Sequence, residues 1–241
     1  MQIEKPSLSI VIPCLNEEKA IQAVMEKIDG VVSSERFQQC FSSCEIIVIN
    51  DGSTDKTAEL LDQRSNILVI NNSQSRGYGA ALKQGFRTAT GALICFFDMD
   101  FSYEPDDIFE LFSEMQKKKA DMVFGNRLGK HNGMPEIRLI GNRFFSLVVK
   151  IFFWRNITDV CTGFRIFKSE LVGEILDLKT NNLNFSIDLT LLMLGRDKNI
   201  SQNPIRYYER KGESKLKVVK DGFEFLWIVF KNFYYFKMSW K

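Results

Sequence analysis

Histidine is all but missing from this sequence: His131 stands alone among 241 residues. The five cysteines, Cys14, Cys40, Cys44, Cys95 and Cys161, contain no C-x-x-C pair. With one histidine to help them, they exclude a zinc centre of the usual ligand spacing. Two of them, Cys14 and Cys95, fall in strand-like runs, and an odd set of thiols fits a reducing cytosol. Also absent is any uncharged apolar run of about 18 residues, so no segment spans a bilayer by itself. The start, "MQIEKPSLSIVIP", lacks the basic-then-apolar pattern of a signal segment. Charge of one sign is not in excess either. Thirty-two Lys and Arg against 30 Asp and Glu leave +2, with no long basic block and so no footprint for a nucleic-acid partner. Proline is sparse, at five, and no linker rich in Pro, Gly or Ser and no internal repeat divides the chain.

Phenylalanine, by contrast, is plentiful. Many of its 21 copies crowd into "FFSLVVKIFFW" (144–154) and "FEFLWIVFKNFYYF" (223–236). Helices this aromatic, interrupted by lysines, suit a membrane interface, with a buried core or dimer helix as the competing reading. The first half has a clear order. "LSIVIP", "EIIVIND", "NILVINN" and "ALICFFD" are short apolar runs that read as strands. Between them, "NEEKAIQAVMEKIDGVV", "STDKTAELLDQR" and "GYGAALKQGFRTAT" carry helical spacing, the first with acids placed in its opening turn. "PDDIFELFSEMQKKKA" follows as a helix and "DMVFGNR" (121–127) as a strand. Alternating strands and helices predict an α/β fold: a mostly parallel sheet with helices on both faces. One domain over 1–241 is expected, with a nucleotide-binding half (1–105), a more variable half (106–212) and a C-terminal aromatic helix (213–241).

In such sheets ligands sit beyond the carboxyl ends of the strands. Asn16, Glu17, Asp51, Ser53, Asp98 and Asp100 all fall at those ends. The "DMD" of "LICFFDMDFSYEP" is the most pointed feature. Two like charges one residue apart at the end of a buried strand repel unless a cation relieves them. Mg²⁺ suits one or two carboxylates plus substrate phosphates. A solvated pair at a strand end is the alternative, weakened by the other acids that converge on the same edge.

Five segments in order, "SIVIPCLNEE", "IIVINDGSTDKT", "RGYGAALKQGFRTATGALICFFDMD", "DVCTGFRIFKSE" and "RKGESKL", resemble the family 2 glycosyltransferases of GT-A fold. Within that family they resemble the branch of dolichol-phosphate mannose synthase and other polyprenyl-phosphate glycosyltransferases, over about residues 7–220. The resemblance implies an inverting transfer from a nucleotide sugar (GDP-mannose or a UDP-hexose) to dolichyl or undecaprenyl phosphate. Pro13, Leu15, Glu17, Asp51 and Ser53 would line the nucleotide pocket, Asp51 meeting the base. The position before it, often Asp in relatives, is Asn50. Gly77 and Gly79 would let backbone approach a ligand at a helix N-terminus, or else serve helix–sheet packing. Asp98 and Asp100 would hold Mg²⁺ or Mn²⁺, with Ser102 standing where some relatives have Gln. Arg127, with Arg138 or Arg143 and Ser146, would receive the acceptor phosphate. Arg210, backed by Ser214 and Lys215, would close on the diphosphate. Bidentate guanidinium forks suit such oxygens.

A lipid phosphate, largely dianionic at neutral pH, needs no general base. A sugar-hydroxyl acceptor, as in surface-polysaccharide synthesis, would need one, and Asp188 is the nearest candidate, though a helix-internal pairing fits it as well. Arg165 reads as structural and His131 as a bystander. A nucleotide-sugar-binding protein without catalysis is the reading from another class. A sugar-phosphate nucleotidyltransferase is excluded because "SIVIPCLNEE" lacks its Gly-rich loop. The expected partners are the sugar donor, the lipid acceptor and a membrane surface. The expected place is the cytoplasmic face, as a peripheral protein whose last residues could lead to an anchor in a longer chain. Oligomeric state is left open.

Overall fold

A computed structural model describes residues 4–128, 133–210 and 218–239. Seven strands form one sheet in the order β3-β2-β1-β4-β6-β5-β7. They are β1 (Leu8–Cys14), β2 (Cys44–Asn50), β3 (Leu68–Asn71), β4 (Leu93–Phe96), β5 (Met122–Asn126), β6 (Arg165–Lys168) and β7 (Ile200–Pro204). All pairs are parallel except those of β6, which runs antiparallel between β4 and β5. The expected mostly parallel α/β sheet is present. The antiparallel insertion is a finding that no run of apolar residues announced, because β6 is the four-residue "RIFK".

Side chains alternate about the sheet and both faces are covered, which explains the continuous apolar runs. Ile10, Ile12, Val48 and Cys95 meet the helices α1 (Ile21–Val32), α2 (Glu35–Cys40) and α5 (Ile108–Lys118). Val11, Ile47, Ile49, Ile94 and Phe96 face α4 (Tyr78–Thr88), α8 (Phe185–Gly195) and the inner sides of α6 (Glu136–Phe153) and α9 (Val218–Ser239). Two short helices, α3 (Thr57–Asp62) and α7 (Val172–Leu176), complete the set among the described residues. The acids expected in the first turn of α1 lie outside it. The helix opens at Ile21, and Glu17 and Glu18 remain in the loop after β1, where the Glu18 carboxylate accepts from the Lys56 N–H.

α6 and α9 pack through aromatic contacts, Phe145 on Phe225 at 3.7 Å between ring centroids and Phe152 on Phe230 and Phe233. Their outer sides expose a ridge of large apolar residues: Ile137, Ile140, Phe144, Leu147, Ile151 and Trp154 from α6 and the turn after it, and Phe223, Trp227, Phe230 and Tyr234 from α9. Among the described residues, no helix is long and apolar enough to cross a membrane.

Candidate active site

The carboxyl ends of β1, β2 and β4 open into a cavity of about 560 Å³. Pro13, Leu15, Glu17, Asp51 and Gly77 line its sheet end, Asp98, Asp100, Arg127 and Arg210 its middle, and Arg138 the wall formed by α6. Ten expected site residues thus meet in one cavity. It continues between α6 and α9, where Met134, Ile137, Phe145, Leu183 and Phe225 make the wall apolar.

The turn that presents the paired aspartates is strained. Phe101 adopts φ +69°, rare for an aromatic residue. That reversal brings the Ser102 N–H back to Asp100 Oδ1 at 3.0 Å and its hydroxyl to the same oxygen. Ser102 therefore supports Asp100 and does not line the cavity, where its position had suggested a candidate metal ligand. Asp98 accepts a hydrogen bond from the Tyr78 hydroxyl, while its Oδ1 is buried with no hydrogen-bond partner among the described residues. Burial, and then the charge of Asp100, push the Asp98 carboxyl up to about 7, against the pull of Tyr78, Arg127 and Arg210. Gly163 is obligatory beside it, since a Cβ there would stand 2.8 Å from Asp98 Oδ2. Arg210 lies between Glu17 (3.2 Å) and Asp100 (3.6 Å), a cation held where acids converge. Among the described residues no group of three or more metal-ligating side chains gathers. An orphaned carboxylate oxygen beside a second carboxylate still fits a divalent ion whose other ligands come from a diphosphate.

Asp51 is buried and more heavily engaged than the sequence suggested. Its carboxylate accepts from Asn72 Nδ2, the Ser75 hydroxyl and the backbone N–H groups of Arg76 and Gly77, at 2.8–3.1 Å. It thereby shapes the loop that leads into α4. Gly77 has φ +98°, and a Cβ on it would meet the Asn181 carbonyl at 2.4 Å. That carbonyl accepts the N–H groups of Gly79 and Ala80. The α4 N-terminus is thus capped by protein, and the packing alternative, not phosphate binding, accounts for Gly79 and for the backbone of Gly77.

The remaining arginines separate by environment. Arg127 is buried and forms a bidentate pair with Asp159, Nε and Nη2 each at 2.8 Å, while its backbone N–H also donates to Asp159. Its guanidinium stacks over Tyr207. Burial alone would raise the Asp159 carboxyl; the Arg127 charge and the hydrogen bonds of Arg127 and Asn142 outweigh that and hold it below the ordinary aspartate value. Arg138 is half-buried, faces the cavity and has no acidic partner among the described residues. Arg143, five residues on, is exposed, so of the two only Arg138 lines the cavity. Arg165 is fully buried and structural, as expected. It donates to the carbonyls of Val160, Thr162 and Ser186 and to the Thr190 hydroxyl, and burial lowers its guanidinium to about 10.

Three expected ligands lie off the cavity for physical reasons. The Ser53 hydroxyl accepts from the Asn16 N–H and fixes the loop after β1. The Ser146 hydroxyl donates to the Thr158 carbonyl at 2.9 Å and ties α6 down. Arg143 sits on the wrong side of its helix. Lys215, Ser214 and His131 lie outside the described residues. Asp188 accepts from the Thr180 hydroxyl, ahead of its own helix, and from Asn232 Nδ2 on α9, and does not line the cavity; the pairing is between elements and not within α8 as expected. Residues that sequence reasoning passed over include Tyr78, Asn142, Asp159 and Glu224. Asp159 stood inside a quoted motif, and Asn142 lies one turn from Arg138; both signals were legible. Glu224, the acid of an aromatic helix, lines the cavity and accepts from Asn182 and Asn184.

This architecture, a carboxylate-bearing carboxyl edge on a mostly parallel sheet with an antiparallel strand inserted, is the GT-A fold. It superposes on glucosyl-3-phosphoglycerate synthase from Mycobacterium tuberculosis, crystallised with Mn²⁺, UDP and phosphoglyceric acid, with a TM-score of 0.72 over 95% of this chain and 78% of that one at 19% identity. Residues 9–176 match the model of Glycosyl transferase family 2, and the chain belongs to that family. Among curated relatives, the low-salt glycan biosynthesis hexosyltransferase Agl6 of Haloferax volcanii is 27% identical over 90% of this chain, which spans about half (51%) of that protein. The dolichyl-phosphate hexose transferase of the same organism is 29% identical over 89% of each chain. The dolichol-phosphate mannosyltransferase of Pyrococcus furiosus is 28% identical over 91% of this chain and 61% of its own length.

Proposed function

We propose that this protein transfers a hexosyl group from a nucleoside-diphosphate sugar to a polyprenyl phosphate at a membrane surface. The observation that carries this reading is the shape of one cavity. It begins at the paired aspartates, passes Arg138, a cation with no acidic partner among the described residues, and ends in an apolar opening between α6 and α9. An anionic head on a long apolar chain is the acceptor such a path accommodates. The names of the dolichyl-phosphate relatives support the same class.

Asp98 and Asp100 would hold Mg²⁺ or Mn²⁺, which would supply positive charge against the diphosphate leaving group. Arg210 adds charge of the same sign beside Asp100, and Asp51 and Pro13 bound the nucleotide end. Arg138 would receive the acceptor phosphate, whose oxygen displaces the diphosphate at the anomeric carbon in one step. A phosphate dianion is its own nucleophile, so no proton need be removed. Arg127, neutralised by Asp159, braces the wall between the two substrates. The exposed ridge of α6 and α9, flanked by Arg143, Lys150 and Lys231, would lie on the membrane, since contiguous apolar patches of this extent mark interaction sites. The protein would then be peripheral, on the side where nucleotide sugars are made.

One observation favours a second reading enough to test it. Glu224 places a carboxylate in the cavity, as a base for a sugar-hydroxyl acceptor would require. An assay of nucleotide sugars against short polyprenyl phosphates and soluble sugars, scored for glycolipid, distinguishes them. The lipid reading expects glycolipid and a Glu224→Gln protein that keeps most of its rate. Faster transfer to a soluble sugar, abolished by Glu224→Gln, would replace it.

A further inference from the structure

Asn142 sits on α6 one turn beyond Arg138, on the face that looks into the cavity, and is 6% exposed. Its Nδ2 donates to Asp159 Oδ1 at 3.0 Å. That bond fixes the amide, because the flipped orientation would set a carbonyl oxygen against a carboxylate that Arg127 keeps ionised. The Oδ1 atom is consequently turned away from Asp159. It is buried and accepts no hydrogen bond among the described residues. A buried carbonyl oxygen left without a donor costs about 1–3 kcal/mol. The packing of α6 uses only the Nδ2 end of this amide, in the bond to Asp159, and gives Oδ1 no partner among the described residues.

The orphan acceptor asks for an O–H or N–H from whatever fills the cavity. On the function proposed above, on which this inference rests, the reacting groups near it are few. Diphosphate oxygens and a phosphate dianion are acceptors only and would be repelled by a carbonyl oxygen. The base and ribose belong at the far, sheet end, beside Asp51 and Pro13. The hexose is the part of the substrates that brings hydroxyl donors to the middle of the cavity. We propose that Asn142 Oδ1 accepts a hydrogen bond from one hydroxyl of the transferred sugar and so helps decide which hexose is accepted. Asp159 is the positioning residue that aims it, through the amide bond that also leaves Arg127 in place. One buried carboxylate thus orients a sugar-reading amide and a guanidinium together.

The test pairs deletions on protein and ligand. With the nucleotide sugar that transfers best, wild type and Asn142→Leu are compared on that donor and on its 2-, 3-, 4- and 6-deoxy analogues. In wild type one analogue should lose about tenfold or more in kcat/KM, the cost of leaving the Asn142 oxygen unpaired. In Asn142→Leu the parent donor should fall similarly, and that same analogue should show no additional loss. Affinity for the free nucleoside diphosphate should be unchanged. Equal deoxy penalties in both proteins would overturn the proposal and leave a water as the partner of Oδ1. A loss that tracks acceptor protonation with pH, and not any donor hydroxyl, would overturn it too. Should Asn142→Leu fail to fold, Asn142→Ser carries the same comparison. If no polyprenyl phosphate is glycosylated, the lipid reading fails by itself. Calorimetric binding of the parent and deoxy nucleotide sugars then still decides the role of Asn142.

Discussion

Removing the Asp159 carboxylate should cost more stability than any other single change at this site. Its two oxygens accept four hydrogen bonds, three from Arg127 and one from Asn142, in a position with no solvent exposure. Asp159→Ala would leave the Arg127 guanidinium buried without its counter-charge, and breaking such a pair from one side costs about 3–5 kcal/mol. For a chain of this size each kcal/mol moves Tm by about 2–4 °C, so a fall of roughly 6–20 °C is expected. The double substitution Arg127→Met, Asp159→Leu removes both charges and should cost clearly less than Asp159→Ala alone, because the main penalty is the stranded cation. Urea denaturation of wild type, Arg127→Met, Asp159→Leu and the double variant at about pH 7.5 measures the cycle, with Asp159→Ala run beside them. The sign with pH follows from the lowered carboxyl. A depressed acid contributes its stability above the unfolded-state value near 4, and that contribution is lost as pH falls through the folded one. The gap between wild type and Asp159→Asn should therefore be flat from pH 5 to 8 and close below about pH 4. An Asp159→Ala protein within 1 kcal/mol of wild type, a limit set well below the roughly 3 kcal/mol minimum expected, would refute the reasoning. So would a double variant as unstable as the sum of its singles.

Asp100→Asn should abolish transfer, and excess EDTA should silence wild type until Mg²⁺ or Mn²⁺ is restored; full turnover in EDTA would remove the metal from the account. Asp51→Ala should weaken nucleotide sugar and free nucleotide alike, through collapse of the loop at Ser75–Gly77 as much as through loss of a base contact, and calorimetry reads both. Arg138→Ala should raise the KM for polyprenyl phosphate at least tenfold, as loss of a charge-assisted contact implies, while Arg143→Ala, on the solvent side, leaves it near wild type. Replacing Phe223 and Trp227 by Ser should lower sedimentation with anionic vesicles without altering nucleotide affinity; unchanged sedimentation would turn the ridge into a protein interface.

The donor end was legible because β1, β2 and β4 are near-continuous apolar runs, each followed at once by its polar residues. Sequence adjacency to a strand end there equals spatial adjacency to the ligand. Asp98, Asp100, Asp51 and Glu17 could be placed on one edge from that alone. The acceptor end obeys no such rule. Its wall comes from α6, the segment around Asp159 and α9, which meet only through tertiary packing. Arg138 and Arg143 are indistinguishable by composition, and only the phase of α6, set by Asn142, Ser146, Val149 and Phe153 facing inward, separates them. Ser53 and Ser146 were credited with ligands through the family resemblance. Both are spent on backbone groups, at Asn16 and Thr158, as short hydroxyl side chains often are.

The same contrast bears on how the two substrates meet. The sheet edge is fixed by parallel strands and by an aspartate that accepts from four donors, so it has little freedom to adapt. The wall formed by α6 is joined to the end of β5 through the Arg127–Asp159–Asn142 cluster. On the function proposed above, α6 would rest on a membrane through its exposed apolar side chains and would be subject to forces the sheet does not feel. Anchoring it through buried charge-assisted hydrogen bonds, which are short and directional, keeps Arg138 and Asn142 at a constant height above the paired aspartates. An apolar contact of equal strength would let the helix slide. On that reading the buried ion pair serves position more than stability, and the prediction that the double apolar variant costs less than Asp159→Ala alone is its consequence.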